Sequence, residues 1–201
     1  MRKLICAGLL LLSSVSLLKA QAVQQVQTDG SGELMELTYD FDGDGRKDVF
    51  AAVESAGGDD PRLMAKIGKR TLYSKPLSMC CGSISQKKGV IDVNSKGMRG
   101  FTYYKFRWDP RVKDFRLIGY ATESLGNAAN DGSGKSSLNL LTGDYEAAFN
   151  SWNEKREQLV ALPKVRRKIA VGKRIYLQQF DDTIDEWLAA LNSRQLPKEL
   201  R

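Results

Sequence analysis

The chain has 201 residues, with 31 Lys or Arg against 24 Asp or Glu and a formal charge of +7. It contains no histidine. That absence excludes Ser-His-Asp and Cys-His catalysis, histidine-ligated zinc, and the commonest general base near neutral pH.

At the N-terminus, Arg2 and Lys3 precede an apolar run from Leu4 to Leu12, which small residues extend through Leu18. Ala20-Gln21-Ala22 follows with the form of an A-x-A cleavage site. The pattern predicts a signal peptide over residues 1–22, with cleavage after Ala20 as the alternative, and a periplasmic or secreted product. The apolar run is too short and too serine-rich for a good membrane span, so none is expected after cleavage. Cleavage after Ala22 leaves 179 residues, enough for one domain with a real core. Loss of Arg2, Lys3 and Lys19 leaves 28 basic residues against 24 acidic. An exported chain of this mild charge is not expected to bind nucleic acid.

Residues 23–33 are polar and glycine-bearing and read as a loose leader before a single domain over 34–201. Leu37, Tyr39 and Phe41 alternate as on a strand, and Val49 to Val53 suggests a second. Leu63 to Ile67 and Thr71 to Tyr73 predict a hairpin turning at Gly68-Lys69. Ile84 to Val93 is strand-like, with a turn at Lys88-Gly89. Adjacent Cys80 and Cys81 admit two readings: a vicinal disulfide favoured by an oxidising compartment, or two buried thiols favoured by disulfide geometry.

Phe101 to Trp108, a turn at Asp109-Pro110 and Phe115 to Tyr120 predict a strand pair, with Tyr104, Phe106 and Trp108 on one face and Lys105 and Arg107 on the other. Gly126 to Gly134 reads as a long flexible loop, and Ser137 to Phe149 as another hairpin. Val165, Ile169, Val171, Ile175 and Leu177 suggest two strands joined near Gly172. A C-terminal helix over 183–192 is predicted from an apolar stripe of Ile184, Trp187, Leu188 and Leu191, with Thr183 and Glu186 as a capping box. The expected fold is mainly β, a sandwich or a strongly curved antiparallel sheet with a C-terminal helix.

The sharpest chemical signal is Asp40-Phe41-Asp42-Gly43-Asp44-Gly45-Arg46-Lys47-Asp48. Calcium takes six to eight oxygens at flexible distances. Aspartates at loop positions 1, 3 and 5 converge on one point, Arg46 would lend its backbone carbonyl, and Asp48 would complete the set. Gly45 permits the positive φ that such a turn needs. Four crowded carboxylates repel one another, and Ca2+ would relieve that repulsion and couple binding to folding. Ala51 stands where an EF-hand has its bidentate glutamate, and the flanks read as strands rather than helices. Over residues 34–53 the segment resembles the D-x-D-x-D-G-x-x-D loops of FG-GAP (integrin α-type) proteins, in which the loop joins two strands. That resemblance implies a calcium site; without tandem copies it implies no propeller. Tyr104 to Arg107, Phe115 to Tyr120 and Ser136 to Gly143 are similar to segments of uncharacterised secreted bacterial proteins, which implies one shared β-domain and no activity.

Four other features carry weaker signals. Lys164, Arg166, Arg167, Lys168, Lys173 and Arg174 form a basic cluster, read either as a patch for an anionic partner or as a solvated face. Gly132 to Ser136 partly matches a phosphate loop, but Ala129 stands where glycine is required, so this reading is rejected. Tyr103, Tyr104, Phe106, Trp108 and Phe115 could line a carbohydrate surface or pair across strands in the core. Asp59, Asp60, Glu123, Asp131 and Asp144 supply loop carboxylates in which no spacing singles out a catalytic pair. The expected protein is a non-catalytic, calcium-stabilised binding protein. Its partner would be a protein, as for a periplasmic immunity or inhibitor protein, or an envelope glycan. A carboxylate-pair hydrolase acting on cell-wall polymer is the rival.

Overall fold

A computed structural model describes residues 25–26, 36–53, 61–78, 82–181 and 183–195. The expected signal peptide, Cys80 and Cys81, and Asp59 and Asp60 lie outside the described residues. The described residues form two antiparallel sheets and one helix near the C-terminus, mainly β as expected.

The smaller sheet is a meander of β2 (Glu36–Tyr39), β3 (Asp48–Val53), β4 (Arg62–Ile67) and β5 (Arg70–Tyr73), neighbours in chain order. The larger sheet runs from β1 (Gln25–Val26) to β6 (Gly82–Lys87), β7 (Val90–Gly97), β8 (Gly100–Asp109), β9 (Asp114–Ser124), β10 (Gly134–Asn139) and β11 (Asp144–Asn153). Part of the segment read as a loose leader is therefore ordered, with Gln25 opposite Ser85 and Val26 opposite Ile84. The β6–β7 turn is a two-residue loop in which Lys88 and Gly89 both have positive φ, the backbone of a type I′ hairpin.

The far edge of the larger sheet is one bent strand in two pieces. β12 (Gln158–Ala161) and β13 (Val165–Lys168) both pair with β11, and the register slips by one residue between them. Leu162 still donates to the Phe149 carbonyl, so the extra residue falls beside Pro163, which has no N–H to give the ladder. Of the two strands predicted to meet near Gly172, the first forms in part as β13 (Val165–Lys168) and the second does not form. After β13 the chain leaves regular structure, and its alternating apolar residues serve as anchors. Ile175 is buried and its carbonyl accepts from Leu117 N–H at 2.9 Å, and Leu177 is buried at the start of a 3-10 turn, Leu177–Gln179. The outer edge of the sheet here is β13, whose Arg166, Arg167 and Lys168 discourage a further strand from pairing.

The core lies between the sheets. Phe50 of β3 meets Phe115 at 5.3 Å edge-on and Phe106 at 6.2 Å, and Phe41 meets Phe115 at 5.2 Å. Phe180 stands edge-on to Tyr104 and Phe106. Beyond it, α1 (Thr183–Gln195) buries Ile184 and Leu188 and packs Trp187 and Leu191 against the same core. Leu188 and Leu191 share a small void with Tyr120, Leu138 and Tyr145, so the helix covers sheet that β2–β5 leave open. The Tyr104 hydroxyl donates to Asp185 of the helix. The predicted capping box is not formed, because Thr183 is already inside the helix and its hydroxyl donates to Asp181.

The segment read as a long flexible loop is instead closed by hydrogen bonds. Asn127 Oδ1 accepts from the Ala129 and Asp131 amides, Asp131 Oδ1 accepts from Trp152 N–H at 2.7 Å, and Arg99 donates to the Gly126 and Asn127 carbonyls. Asn and Asp side chains here replace the backbone partners of a ladder.

Candidate metal centre

The aspartate loop joins β2 to β3, and Tyr39 opposite Asp48 closes its base. Gly43 and Gly45 have φ of 83° and 86°, values that cost an L side chain strain, and no atom crowds either position. These two reversals let the chain fold its polar atoms inward.

Carboxylate oxygens of Asp40, Asp42 and Asp48 lie within 4.8 Å of one another. Asp40 accepts from the Gly43 amide at 2.7 Å and the Gly45 amide at 2.9 Å. Asp42 accepts from Asp44 N–H at 3.1 Å. Asp44 is exposed and outside the triad; its Oδ1 takes the Arg46 amide at 2.8 Å. The structure therefore brings together three of the four carboxylates singled out in the sequence. Arg46 is exposed on the same loop.

Asp48 differs from the other two. It is 3% exposed, and it ties the loop to neighbouring structure by accepting from Phe41 N–H at 3.0 Å and Gly68 N–H at 3.2 Å. Burial raises its pKa, against the lowering effect of those two amides, and the charge of Asp42 adds to the rise. A cation beside the triad would act in the opposite sense. Three hard oxygen donors on a turn suit a hard divalent ion and offer nothing to a soft one.

The other sequence features resolve as follows. All six residues of the basic cluster are exposed, and two of them are paired across the sheet edge: Arg166 with Glu146 at 3.1 Å and Lys168 with Asp144 at 2.6 Å. Arg166, Arg167 and Lys168 lie on β13, where charge guards a sheet edge against further pairing, while Lys173 and Arg174 lie beyond it in irregular chain. Gly132 to Ser136 leads into strand β10, whereas a phosphate loop leads into a helix, so its rejection stands. Tyr104, Phe106, Trp108 and Phe115 face the core, and Tyr103 alone of the five turns to the opposite face. Glu123 is paired with Lys135 at 2.9 Å, Asp131 with the Trp152 amide, and Asp144 with Lys168.

The chain matches no protein-family model, and no curated protein or solved structure matches it. Function rests on the site itself.

Sequence reasoning missed two buried roles. It did not find the link from Asp48 to Gly68, 20 residues away. It also missed Asp114, a 4% exposed carboxylate that accepts from Phe115 N–H at 2.7 Å. The only local sign of either is a charged residue placed directly before an apolar strand run.

Among the described residues, no helix is long and apolar enough to cross a membrane.

Proposed function

We propose that this chain is a calcium-stabilised binding protein without catalytic machinery, exported to the periplasm or beyond. One observation carries the reading: the Asp40, Asp42 and Asp48 carboxylates converge while Asp48 also holds Gly68 of the β4–β5 turn. An ion there would fasten the loop, β3 and the next hairpin together, and its binding energy would become folding energy. The resemblance of residues 34–53 to FG-GAP calcium loops supports the choice of Ca2+. Export rests on the N-terminal sequence pattern.

The non-catalytic part of the reading is supported by how the carboxylates are used. Glu123, Asp131 and Asp144 are each engaged by a cation or a backbone amide, as structural acids are. A periplasmic immunity or inhibitor protein suits the size and the missing histidine chemistry. An envelope glycan-binding module is the second form of the same reading, favoured by the polar sheet face on which Tyr103 lies. Calorimetric titration of chelated protein with Ca2+ tests the metal. Affinity capture from an envelope fraction, with and without chelator, tests the partner. Heat of binding at one site and a defined partner are expected; no binding of Ca2+ at millimolar concentration would overturn the metal reading.

A further inference from the structure

The face of the larger sheet turned away from β2–β5 and α1 carries a trough. Side chains alternate along each strand. With Tyr104 and Tyr120 pointing to the core, Lys105, Gly119 and Ala121 point outward. Ser137 lies opposite Ala121 on one side and Glu146 on the other. The middle of the sheet thus presents small outward residues, while long ones rise on either side. Two depressions of about 480 and 420 Å³ result, and because both are lined by Ala121, Ser137 and Glu146 they form one groove along β9 and β10. Each volume falls in the range of small-molecule sites.

Gly119 keeps the floor of the groove low. Its φ is not in the left-handed region, and a Cβ placed on it would meet only the flexible Lys105 side chain, at 3.4 Å. Gly82 and Gly100 are different, since a Cβ there would strike backbone oxygen at 1.6 and 2.4 Å. Gly119 is buried beneath the Lys105 side chain and lies beside the register shift between β8 and β9 at Lys105 and Phe106. A strand-interior glycine costs roughly 0.5–1 kcal/mol relative to alanine, and such a residue often marks a bulge, as here, or a close approach by a ligand or another backbone.

The lining chemistry limits the occupant. Most of the charges in and beside it close on one another: Glu123 with Lys135, Glu146 with Arg166, Asp144 with Lys168 and Lys105 with Asp92, while Lys164 and Arg107 also line it. Paired charges project little field toward a polyelectrolyte, and a polar floor suits no apolar helix. They do present planar acceptors and donors at fixed spacing beside the Tyr103 ring, a surface suited to hydroxyl groups and the faces of sugar rings. We propose that this trough binds an uncharged oligosaccharide. Hydroxyls bond to Glu123, Glu146 and Arg166, a ring lies against Tyr103, and the chain passes over Gly119 and Ala121. The inference rests on the binding reading above and names its ligand class.

The test is amide-shift mapping of the full mature chain by nuclear magnetic resonance. The probes are cellotetraose, a β-1,4-linked N-acetylglucosamine tetramer, and a sulfated tetrasaccharide. Saturable shifts at Gly119, Ala121 and Ser137 with an uncharged probe are expected. Ala121→Trp should weaken that binding by about tenfold or more. Glu146→Gln, at an exposed position, should also weaken it and serves if the tryptophan variant does not fold. Absence of these shifts with both uncharged probes would overturn the inference, as would binding of the sulfated probe alone with loss at raised salt. Mass spectrometry of the same samples separates the two readings. Cleaved sugar together with shifts in the trough would refute the non-catalytic reading and support the trough.

Discussion

The Asp48 carboxylate accepts a hydrogen bond from the Gly68 amide at 3.2 Å while its other oxygen takes the Phe41 amide at 3.0 Å. One buried side chain therefore holds the end of the aspartate loop to the turn between β4 and β5. Asp48→Ala should destabilise the metal-free protein by about 1–3 kcal/mol, because it leaves two amides without their acceptor. Urea unfolding in chelator measures this. A loss as small as that of Asp44→Ala would show that the link carries no structural weight.

The triad separates residues that the sequence pattern treats alike. Asp42→Ala should abolish the response of thermal stability to calcium, since it removes one of three converging carboxylates. Asp44→Ala should retain most of that response, because Asp44 lies outside the triad and engages the Arg46 amide. Calcium titrations of both variants decide the matter. Equal loss in both would mean that the ion draws Asp44 inward.

That contrast shows where sequence reading succeeds and where it stops. Alternation along Leu37 to Phe41 and from Phe101 to Trp108 reports which side chains face the core, because a strand reverses its side chains at every residue. The aspartate spacing reports a loop whose polar atoms turn inward. Neither reports distant partners. The Asp48–Gly68 bond, the one-residue slip beside Pro163 and the anchoring of Ile175 all depend on strands brought together by the whole fold. The trough was hidden for the same reason: Gly119 and Ser137 become neighbours of one groove only through sheet register. Local propensity likewise misjudged Gly126 to Gly134, whose polar residues look loose in sequence yet bond to one another and to β11.

Asp114 predicts a pH effect that the loop does not involve. Burial raises its pKa above 3.8, more than the amides of Phe115 and Gln178 lower it. A carboxyl whose folded pKa is raised contributes stability that is fully present below the ordinary value and is lost as pH rises through the raised one. Asp114→Asn does not titrate. The stability of the parent chain relative to this variant should therefore fall as pH rises through that window. Urea unfolding of both proteins across the carboxylate range tests the sign. A difference that does not vary with pH would contradict it.

Phe50 has no measurable exposure and lies between the two sheets against Phe106 and Phe115. Phe50→Ala should cost about 3–5 kcal/mol, the usual range for an aromatic removed from a packed core. Chemical denaturation measures it directly, and a loss below about 1 kcal/mol would mean that the sheets are not held together there.

The central claim is that Asp40, Asp42 and Asp48 hold a calcium ion that fastens the fold. Thermal unfolding of the mature chain in chelator and in excess Ca2+ tests it most directly. The midpoint should rise with calcium concentration, as for any ligand that binds only the folded state, and Asp42→Ala should remove the rise. Superimposable curves with and without calcium would contradict the claim.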